Sequence, residues 1–339
     1  MASTIKDVAK MAEVSISTVS RVINDSKPVS PEARRRVLQA IKVLDYTPNE
    51  VARSLVKRKS YLIGVIVDDI GTSYVSKILR GVEEIGRMYN YDILLTCSYG
   101  DPKVEINLVK LLEQKQVGGI LVISSNVNEK LLEKLEESKL PYLEINRFHD
   151  NEEKLTVKIE YEEISYEMVN YIISKGHKKI AAVLKANDVE KSQERYKLKG
   201  YERAIKDAGL EEYIISTKGI TEKAIAEVSD QIEEAIKSGV TAFFCTLDEI
   251  AIHIINQLRD KGIKVPDDVS ITGFGGTDLT EIYRPLLTTV KISYYDIGAV
   301  AIRRILKMIN KENTDKDQKS ILPLGISKRD TVKDLNQNK

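Results

Sequence analysis

Polar side chains between Ser15 and Asn24 could bind nucleic acid. The segment SISTVSRVIN combines hydroxyl groups, one guanidinium and one amide. Groups of this kind bind the phosphate backbone of DNA or the edges of its bases. The residues concerned are Ser17, Thr18, Ser20, Arg21 and Asn24.

A helix is needed to bring these groups to one surface. Ser15 is a good N-cap, so a helix should begin at Ile16. Apolar residues recur at helical spacing on the opposite side, at Val19, Val22 and Ile23. The sequence therefore predicts a short helix with one polar side.

A preceding helix completes the pair. Thr4 and Asp7 are spaced as a capping box, and the break at Glu13 and Val14 allows a tight turn. Two short helices joined in this way predict a helix-turn-helix. This stretch alone leaves an ordinary helical hairpin as the alternative.

A third helix and the charge distribution favour DNA binding. Pro31 follows a capping Ser30, and three consecutive arginines occupy residues 34–36 of the outer face. The buried stripe of this helix is predicted at Val37, Ala40, Ile41 and Leu44. Residues 1–59 carry 12 Lys and Arg against 6 Asp and Glu, whereas residues 60–339 carry 40 against 45. A concentration of positive charge in a small module is typical of nucleic-acid-binding domains.

The N-terminal residues resemble the DNA-binding headpiece of the lactose-repressor family of bacterial transcription regulators. The resemblance lies in IKDVAKMAEVSISTVSRVIN and the following YTPNEVARSL. It implies a hinge helix over residues 49–56 and a homodimer that binds a pseudo-palindromic operator in double-stranded DNA. The DNA-binding residues that it implies are Ser15, Ile16, Ser17, Thr18, Ser20, Arg21, Asn24, Tyr46, Asn49, Ala52 and Leu55.

Leu55 is implied to be a wedge that two subunits push into the minor groove at the operator centre. An apolar side chain in that place unstacks a base step, and the resulting kink brings more of the duplex into contact. The alternative is that Leu55 is a buried residue of a linker helix.

The remaining 280 residues are enough for one or two further domains. Apolar residues make up 42% of the chain, which supplies large cores. No apolar run approaches the length of a membrane span, and the N-terminus lacks the apolar run of a secretory signal. We therefore expect a cytoplasmic protein in which Cys97 and Cys245 are buried, reduced thiols.

Short apolar runs alternate with helical patterns after Lys59, which predicts parallel sheets covered by helices on both faces. The first series of predicted strands covers residues 61–67, 91–96, 119–123 and 141–145. The second series, which begins near Leu155, covers 157–159, 179–184, 213–216, 241–245 and 269–273. The resemblance adds two doubly wound lobes of periplasmic-binding-protein type with an effector cleft between them.

The expected division of the chain is a headpiece with its hinge at residues 1–59 and a core at residues 60–339 that dimerises and binds an effector or partner. The first lobe should comprise about 60–154 and 290–320, because the resemblance implies that the chain returns there. The second lobe should comprise about 155–289 and 321–332. The fold class is an all-α helix-turn-helix headpiece plus an α/β core of two parallel-sheet lobes.

Residues that would support catalysis or a metal site are scarce. His149, His177 and His253 have no second ligand at metal spacing, and His177 has the pattern of a turn residue before a strand. The run Gly273-Phe274-Gly275-Gly276 lacks the other glycines and the lysine of phosphate-binding fingerprints. No nucleophile, base and orienting group converge. We therefore expect no enzyme, no metal and no cofactor.

Two segments resemble a narrower group within the family, the catabolite-control regulators of low-GC Gram-positive bacteria. They are RGVEEIGRMYNYDILL and SYYDIGAVAIRRILKMINKE. The resemblance implies a protein corepressor, the serine-phosphorylated phosphocarrier protein of the sugar phosphotransferase system. The positions that match its binding face are Asp69, Tyr295, Asp296, Arg303 and Lys307. Arg303 and Lys307 stand four apart on one helix and could grip a phosphoserine, although a merely solvated basic face is the alternative.

The effector cleft departs from the pattern of sugar-responsive family members. Lys197 replaces an arginine, Leu247 replaces an asparagine before Asp248, and Gly275 replaces an aspartate. The three missing groups, a guanidinium, an amide and a carboxylate, are those that recognise vicinal hydroxyls. Neutral sugars are therefore not expected to bind in the usual mode, whereas the cation of Lys197 leaves an anionic metabolite open.

Together these patterns predict a homodimeric, sequence-specific DNA-binding regulator of carbon catabolite control, mainly a repressor, with the phosphocarrier protein as corepressor. A family repressor that responds to an unknown small molecule in the interlobe cleft is the neighbouring alternative. A ligand-binding protein or enzyme with a doubly wound core, whose N-terminal helices are incidental, is the alternative from another class.

Overall fold

The computed structural model describes residues 3–25, 27–46, 60–124, 129–145, 156–157, 159–186, 193–312, 322 and 324–338. By contact, the chain divides into two units, Met1–Tyr61 and Leu62–Lys339. We call the first unit the headpiece and the second unit the core.

The headpiece contains three short helices in its described residues: α1 (Ile5–Met11), α2 (Ile16–Asn24) and α3 (Pro31–Val43). Each begins after a hydroxyl side chain that accepts a hydrogen bond from the first turn, namely Thr4, Ser15 and Ser30. Thr4 and Asp7 form the predicted capping box.

A small apolar core joins the three helices. Val8, Val19 and Val37, one from each helix, have no exposed surface. A positive φ of 54° at Glu13 produces the turn between α1 and α2, where the sequence predicted a break. The prediction of a helix-turn-helix headpiece is confirmed.

The first sheet of the core has five parallel strands in the order β2-β1-β3-β4-β5. The strands are β1 (Leu62–Val67), β2 (Asp92–Cys97), β3 (Gly119–Ile123), β4 (Tyr142–Ile145) and β5 (Thr156–Val157). The helices between them are α4 (Ser73–Met88), α5 (Pro102–Gln114) and α6 (Glu129–Ser138). All of β3 is buried, as expected for a parallel strand that helices cover on both faces.

The second sheet has the order β11-β10-β9-β8-β6-β7, and only β11 is antiparallel to its neighbour. Its strands are β6 (Ile180–Lys185), β7 (Ile214–Thr217), β8 (Ala242–Cys245), β9 (Ser270–Gly275), β10 (Thr288–Lys291) and β11 (Gly325–Ser327). The helices are α7 (Tyr161–Ser174), α8 (Gln193–Asp207), α9 (Glu222–Ala226), α10 (Ser229–Lys237), α11 (Asp248–Asp260), α12 (Leu279–Ile282) and α13 (Tyr294–Ile309), with a 3₁₀ turn at Leu335–Asn338.

The strands differ from the sequence expectation in three places. The strand predicted at residues 157–159 as the start of the second series is β5, which pairs with β4 in the first sheet, so that assignment was wrong. The sequence did not predict β10, because its buried Thr288 and Thr289 make no apolar run, and it did not predict the three-residue strand β11. Cys245 is buried and Cys97 is half-buried, and both thiols are free.

Helix α13 follows β10 of the second sheet but packs on α4 and on strands of the first sheet. Its contact with α4 is backbone to backbone. A Cβ atom on Gly298 would lie 2.0 Å from the carbonyl oxygen of Ile78, and one on Gly81 would lie 2.1 Å from that of Tyr295. Only glycine permits this approach.

We predict that Gly298→Ala destabilises the core by about 1 to 3 kcal/mol, because the added methyl group must push two backbones apart. Chemical denaturation of the purified variant measures this loss. Gly325→Ala is the matched control, since a Cβ at Gly325 meets no atom within 4 Å. Equal stability of the two variants would contradict the assigned role of Gly298.

The C-terminal segment is fastened to the second sheet by His177, which is buried. Its Nε2 lies 3.1 Å from the carbonyl oxygen of Lys333, and its Nδ1 lies 2.9 Å from the hydroxyl of Thr241. Because a carbonyl oxygen only accepts, Nε2 donates and Nδ1 accepts from Thr241. Burial lowers the pKa of His177 below its usual value, although the bond to Lys333 opposes the shift in part.

We predict that His177 makes the stability of the protein sensitive to mild acid. A histidine whose pKa is lowered by folding contributes its full stability above the unfolded pKa of about 6.5, and that contribution is lost as the pH falls from there towards the folded pKa. Unfolding free energies at pH 7.5 and pH 5.5 should therefore differ in wild type and differ less in His177→Gln. His253→Gln, which removes a histidine outside this contact, should keep the wild-type difference.

Candidate DNA-binding surface, helix-pair surface and interlobe cleft

Helix α2 presents two side chains to solvent that make no side-chain hydrogen bond or ion pair among the described residues. Ile16 is 45% exposed, and Arg21 is exposed as well. Within the described residues the guanidinium of Arg21 has no hydrogen-bond or ion-pair partner, whereas Arg34 on α3 pairs with Asp25. An apolar group suits the methyl group of thymine, and a guanidinium suits the edge of guanine.

The other predicted polar residues of α2 bond partly to one another. The hydroxyl of Ser15 lies 2.7 Å from that of Ser17 and 2.9 Å from that of Thr18. The amide of Asn24 donates to the carbonyl oxygen of Ser20 at 2.8 Å. These contacts stabilise the start and the end of α2. Of the residues of α2 that are predicted to bind DNA, Ile16, Ser17 and Arg21 are exposed, whereas the others are half-buried.

Four further predicted DNA-binding residues follow α3. Tyr46 is half-buried against the apolar core of the headpiece, and its N–H donates to the carbonyl oxygen of Ile41 at 3.0 Å. Asn49, Ala52 and Leu55 lie outside the described residues. Their assignment, including the wedge role of Leu55, stays a prediction.

Helices α4 and α13 share an outer surface, which we call the helix-pair surface and define by Arg80, Glu84, Tyr295 and Arg303. The hydroxyl of Tyr295 donates to Glu84 at 2.9 Å, and Nε of Arg80 donates to the same carboxylate at 3.0 Å. The carboxylate of Glu84 therefore links the two helices.

Arg303 stands eight residues beyond Tyr295 on α13, and its charge acts on this link. The hydrogen bond to Glu84 raises the pKa of Tyr295, and the positive charges of Arg303 and Arg80 oppose that shift. The bond from Arg80 in turn lowers the pKa of Glu84. Arg303 itself is exposed.

The other residues predicted to bind a partner are Lys307 and Asp296 on α13 and Asp69 after β1. Lys307 stands one turn beyond Arg303 and is half-buried, and Asp296 accepts a hydrogen bond from Ser293 at the start of α13. Asp69 follows β1, is exposed, and accepts from the backbone of Gly71 at 2.8 Å. Sequence reasoning missed Arg80 and Glu84, although their spacing of four on an amphipathic helix was a usable signal.

The three predicted cleft residues lie where the strands of the second sheet end. In parallel α/β sheets this carboxyl edge is where ligands bind. Lys197 is 1% exposed, and its ammonium donates to Glu194 at 2.7 Å and to the carbonyl oxygen of Thr246 at 2.8 Å. The same ammonium lies 4.6 Å from the ring centre of Phe274. Lys197 is therefore not the available cation that its sequence position indicated.

Asp248 is fully buried, and burial raises the pKa of its carboxyl group. One oxygen accepts from the backbone of Thr277 at 2.7 Å, and the other accepts from the hydroxyl of Thr289. Gly275 has a φ of 131°, and a Cβ there would lie 3.3 Å from the carboxylate of Asp248. In this chain an aspartate at position 275 would be strained and would face this carboxylate.

Contacts between described side chains join the lobes across the cleft. Ser73 donates to Glu249 at 3.1 Å, and Lys77 forms an ion pair with Asp278 at 2.8 Å. Next to Ser73, the ring of Tyr74 lies 5.6 Å from that of Tyr294, the first residue of α13. The first turn of α4 is therefore in contact with the cleft, whereas Arg80 and Glu84 further along α4 belong to the helix-pair surface.

No helix among the described residues is long and apolar enough to cross a membrane. In the same part of the chain, no group of three His, Cys, Asp or Glu side chains could hold a metal ion.

Comparison with known proteins identifies the family of this chain. Residues 4–49 match the family described as bacterial regulatory proteins, lacI family, and residues 169–332 match the periplasmic binding protein-like domain. Catabolite control protein A of Priestia megaterium is 39% identical over 315 residues, which cover 92% of this chain and 94% of that protein. The chain belongs to the lacI family of bacterial regulatory proteins.

Other members of the lacI family are similar to this chain over most or all of its length. The transcriptional regulator RegA of Clostridium acetobutylicum is 36% identical, covering 98% of this chain and all of that one. The crystal structure of the transcription regulator CcpA of Lactococcus lactis is 27% identical with a TM-score of 0.72, covering 81% of this chain and 100% of that one. A Lac repressor dimer bound to operator is 22% identical, with a TM-score of 0.86 over 98% of this chain and 100% of that one, and shares the fold.

Membership of the lacI family makes this chain a DNA-binding transcriptional regulator, similar to catabolite control proteins. Its relatives are transcriptional regulators. The sequence expectation of a headpiece plus a two-lobed α/β core is confirmed.

We predict that Arg21→Ala reduces specific operator binding by about 1 to 3 kcal/mol and relaxes the base preference at one position of each half-site. The measurement is a binding selection over a randomised operator library. Arg35→Ala, on the exposed face of α3, is the control that removes an arginine outside α2. Equal weakening of Arg21→Ala on operator and random DNA would mean that Arg21 contacts only phosphate.

Proposed function

We propose that this chain is a homodimeric repressor of carbon catabolite control whose operator binding is enhanced by a serine-phosphorylated phosphocarrier protein. The carrier docks on the helix-pair surface together with Asp69, Asp296 and Lys307. In this proposal, operator binding is not regulated by a small molecule in the interlobe cleft.

The observation that supports this proposal best is the exposed guanidinium of Arg303 beside the bond between Tyr295 and Glu84. A phosphoserine carries about −1.5 to −2 charges and three strong acceptor oxygens. The planar guanidinium of Arg303 can donate to two of them at once, and Lys307 adds a point charge one turn away.

The packing of the two helices supports a docking surface that keeps its shape. Gly81 and Gly298 bring the backbones of α4 and α13 into direct contact, so the two helices that carry the outer side chains are held at a fixed spacing. Several of the similar proteins are named catabolite control protein A, which favours the same biological role for this chain.

On the DNA side, Ile16, Ser17 and Arg21 of each subunit read one half-site in the major groove. Leu55, with Asn49 and Ala52 on the hinge, is proposed to contact the minor groove between the half-sites. Partner binding must act through two dimer states that differ in their contacts, because a ligand shifts an equilibrium only by its differential affinity.

We predict that Arg303→Ala lowers affinity for the phosphorylated carrier by about 1.5 to 3 kcal/mol, roughly ten- to a hundredfold, because it removes charge-assisted hydrogen bonds. Affinity for the unphosphorylated carrier and binding to operator without carrier should change little. The measurement is a titration of both carrier forms into the protein on labelled operator DNA.

Lys237→Ala is the charge-matched control, since Lys237 lies exposed on α10 beside the second sheet. It should behave as wild type in both titrations. If wild-type protein responds equally to the two carrier forms, the phosphoserine mechanism is wrong, and a small-molecule effector becomes the better explanation of regulation.

A further inference from the structure

The charged groups at the carboxyl edge of the second sheet bond to one another. We define the Lys197 cluster as Glu194, Lys197, Thr246 and Phe274. These residues come from α8, from the end of β8 and from β9, the edge at which parallel sheets bind ligands. Charged groups at such an edge commonly contact a ligand. The hydrogen-bond partners that they already have therefore determine which ligand they can bind.

Both carboxylate oxygens of Glu194 are engaged. One accepts from the ammonium of Lys197 at 2.7 Å, and the other accepts from the hydroxyl of Thr246. An ammonium on one oxygen and a hydroxyl on the other is the arrangement by which proteins hold a carboxylate anion. Here the anion belongs to the chain itself.

The surroundings of this ion pair are dry. The side chains of Lys197 and Glu194 are 2% and 7% exposed. The ring centres of Phe274 and Tyr161 lie 4.6 and 5.6 Å from the ammonium. A charge buried among rings is strongly destabilising once its partner is removed, because the remaining charge is then uncompensated in a site with little access to water.

We propose that Glu194 is a tethered ligand, whose carboxylate fills from within the chain the place of a small carboxylate anion. Removing this side chain then turns the Lys197 cluster into a binding site for such an anion. The inference concerns the second sheet alone and does not rest on the proposed phosphocarrier partner, so either can fail without the other.

Acetate is the natural probe for this site. The substitution Glu194→Ala deletes one methylene carbon and the carboxylate beyond it, and acetate carries the same heavy atoms as a free molecule. In the full-length variant, acetate can therefore accept from both Lys197 and Thr246 in the deleted group's place.

The experiment is thermal unfolding of the full-length protein in sodium acetate and in sodium chloride of equal ionic strength. Without acetate, Glu194→Ala should unfold roughly 10 °C below wild type, because a buried ion pair is broken. Acetate should raise the unfolding temperature of the variant along a saturating curve, as expected for binding to the native state. Wild type should unfold at the same temperature in both salts.

Three variants serve as controls. Glu194→Gln fills the space without a charge, so it should be destabilised and should gain nothing from acetate. The double variant Glu194→Ala with Lys197→Met lacks the cation and should also show no acetate effect. Glu137→Ala breaks an exposed ion pair of the same spacing with Lys134 on α6 and should behave as wild type in both salts.

The proposal is overturned if acetate leaves Glu194→Ala unchanged, or if it stabilises wild type to the same extent. If Glu194→Ala is recovered only as aggregate in chloride, the yield of folded protein after refolding in each salt gives the same comparison. A higher yield in acetate supports the tethered ligand, and equal yields count against it.

Discussion

The core depends on the backbone contact between α4 and α13. Helix α13 arrives from the second sheet and covers the first, so the chain runs between the lobes at residues 292–293. Glycines at 81 and 298 let the two backbones touch, which any side chain would prevent. Because of this contact, neighbouring residues of α13 serve different surfaces: Tyr294 is buried beside Tyr74 at the cleft, and Tyr295 bonds Glu84 outside.

Arg21 and Lys197 were both considered as cations that bind an external ligand, but they differ in exposure and in pairing. On α2, Arg21 is exposed and has no partner among the described residues, so its guanidinium is available to a nucleic acid. In the cleft, Lys197 is buried and already bonded to Glu194 and Thr246. Burial and pairing, more than residue type, decide which cation can bind an external ligand.

Local sequence signals predicted the parts of the fold that depend on local physics. Thr4, Ser15 and Ser30 predicted three helix starts, because a capping hydroxyl acts within one turn. Strand β5 was assigned to the wrong sheet, because pairing is decided by residues far along the chain. At Lys197 the missed signal was local: its position suggested an available cation, although Glu194 stands three residues before it on the same helix face.

Neither lobe of the core is built from one continuous stretch of chain, and this has a consequence for protein synthesis. The first sheet is covered only when α13 has been made, and the second receives β11 and the segment held by His177 only near the last residue. On the ribosome, the headpiece is contiguous and can fold as soon as it emerges, whereas both lobes wait for the final fifty or so residues. A premature stop in that region therefore leaves a folded DNA-binding module attached to two unfinished lobes that expose apolar surface, which makes such a fragment a substrate for chaperones and proteases.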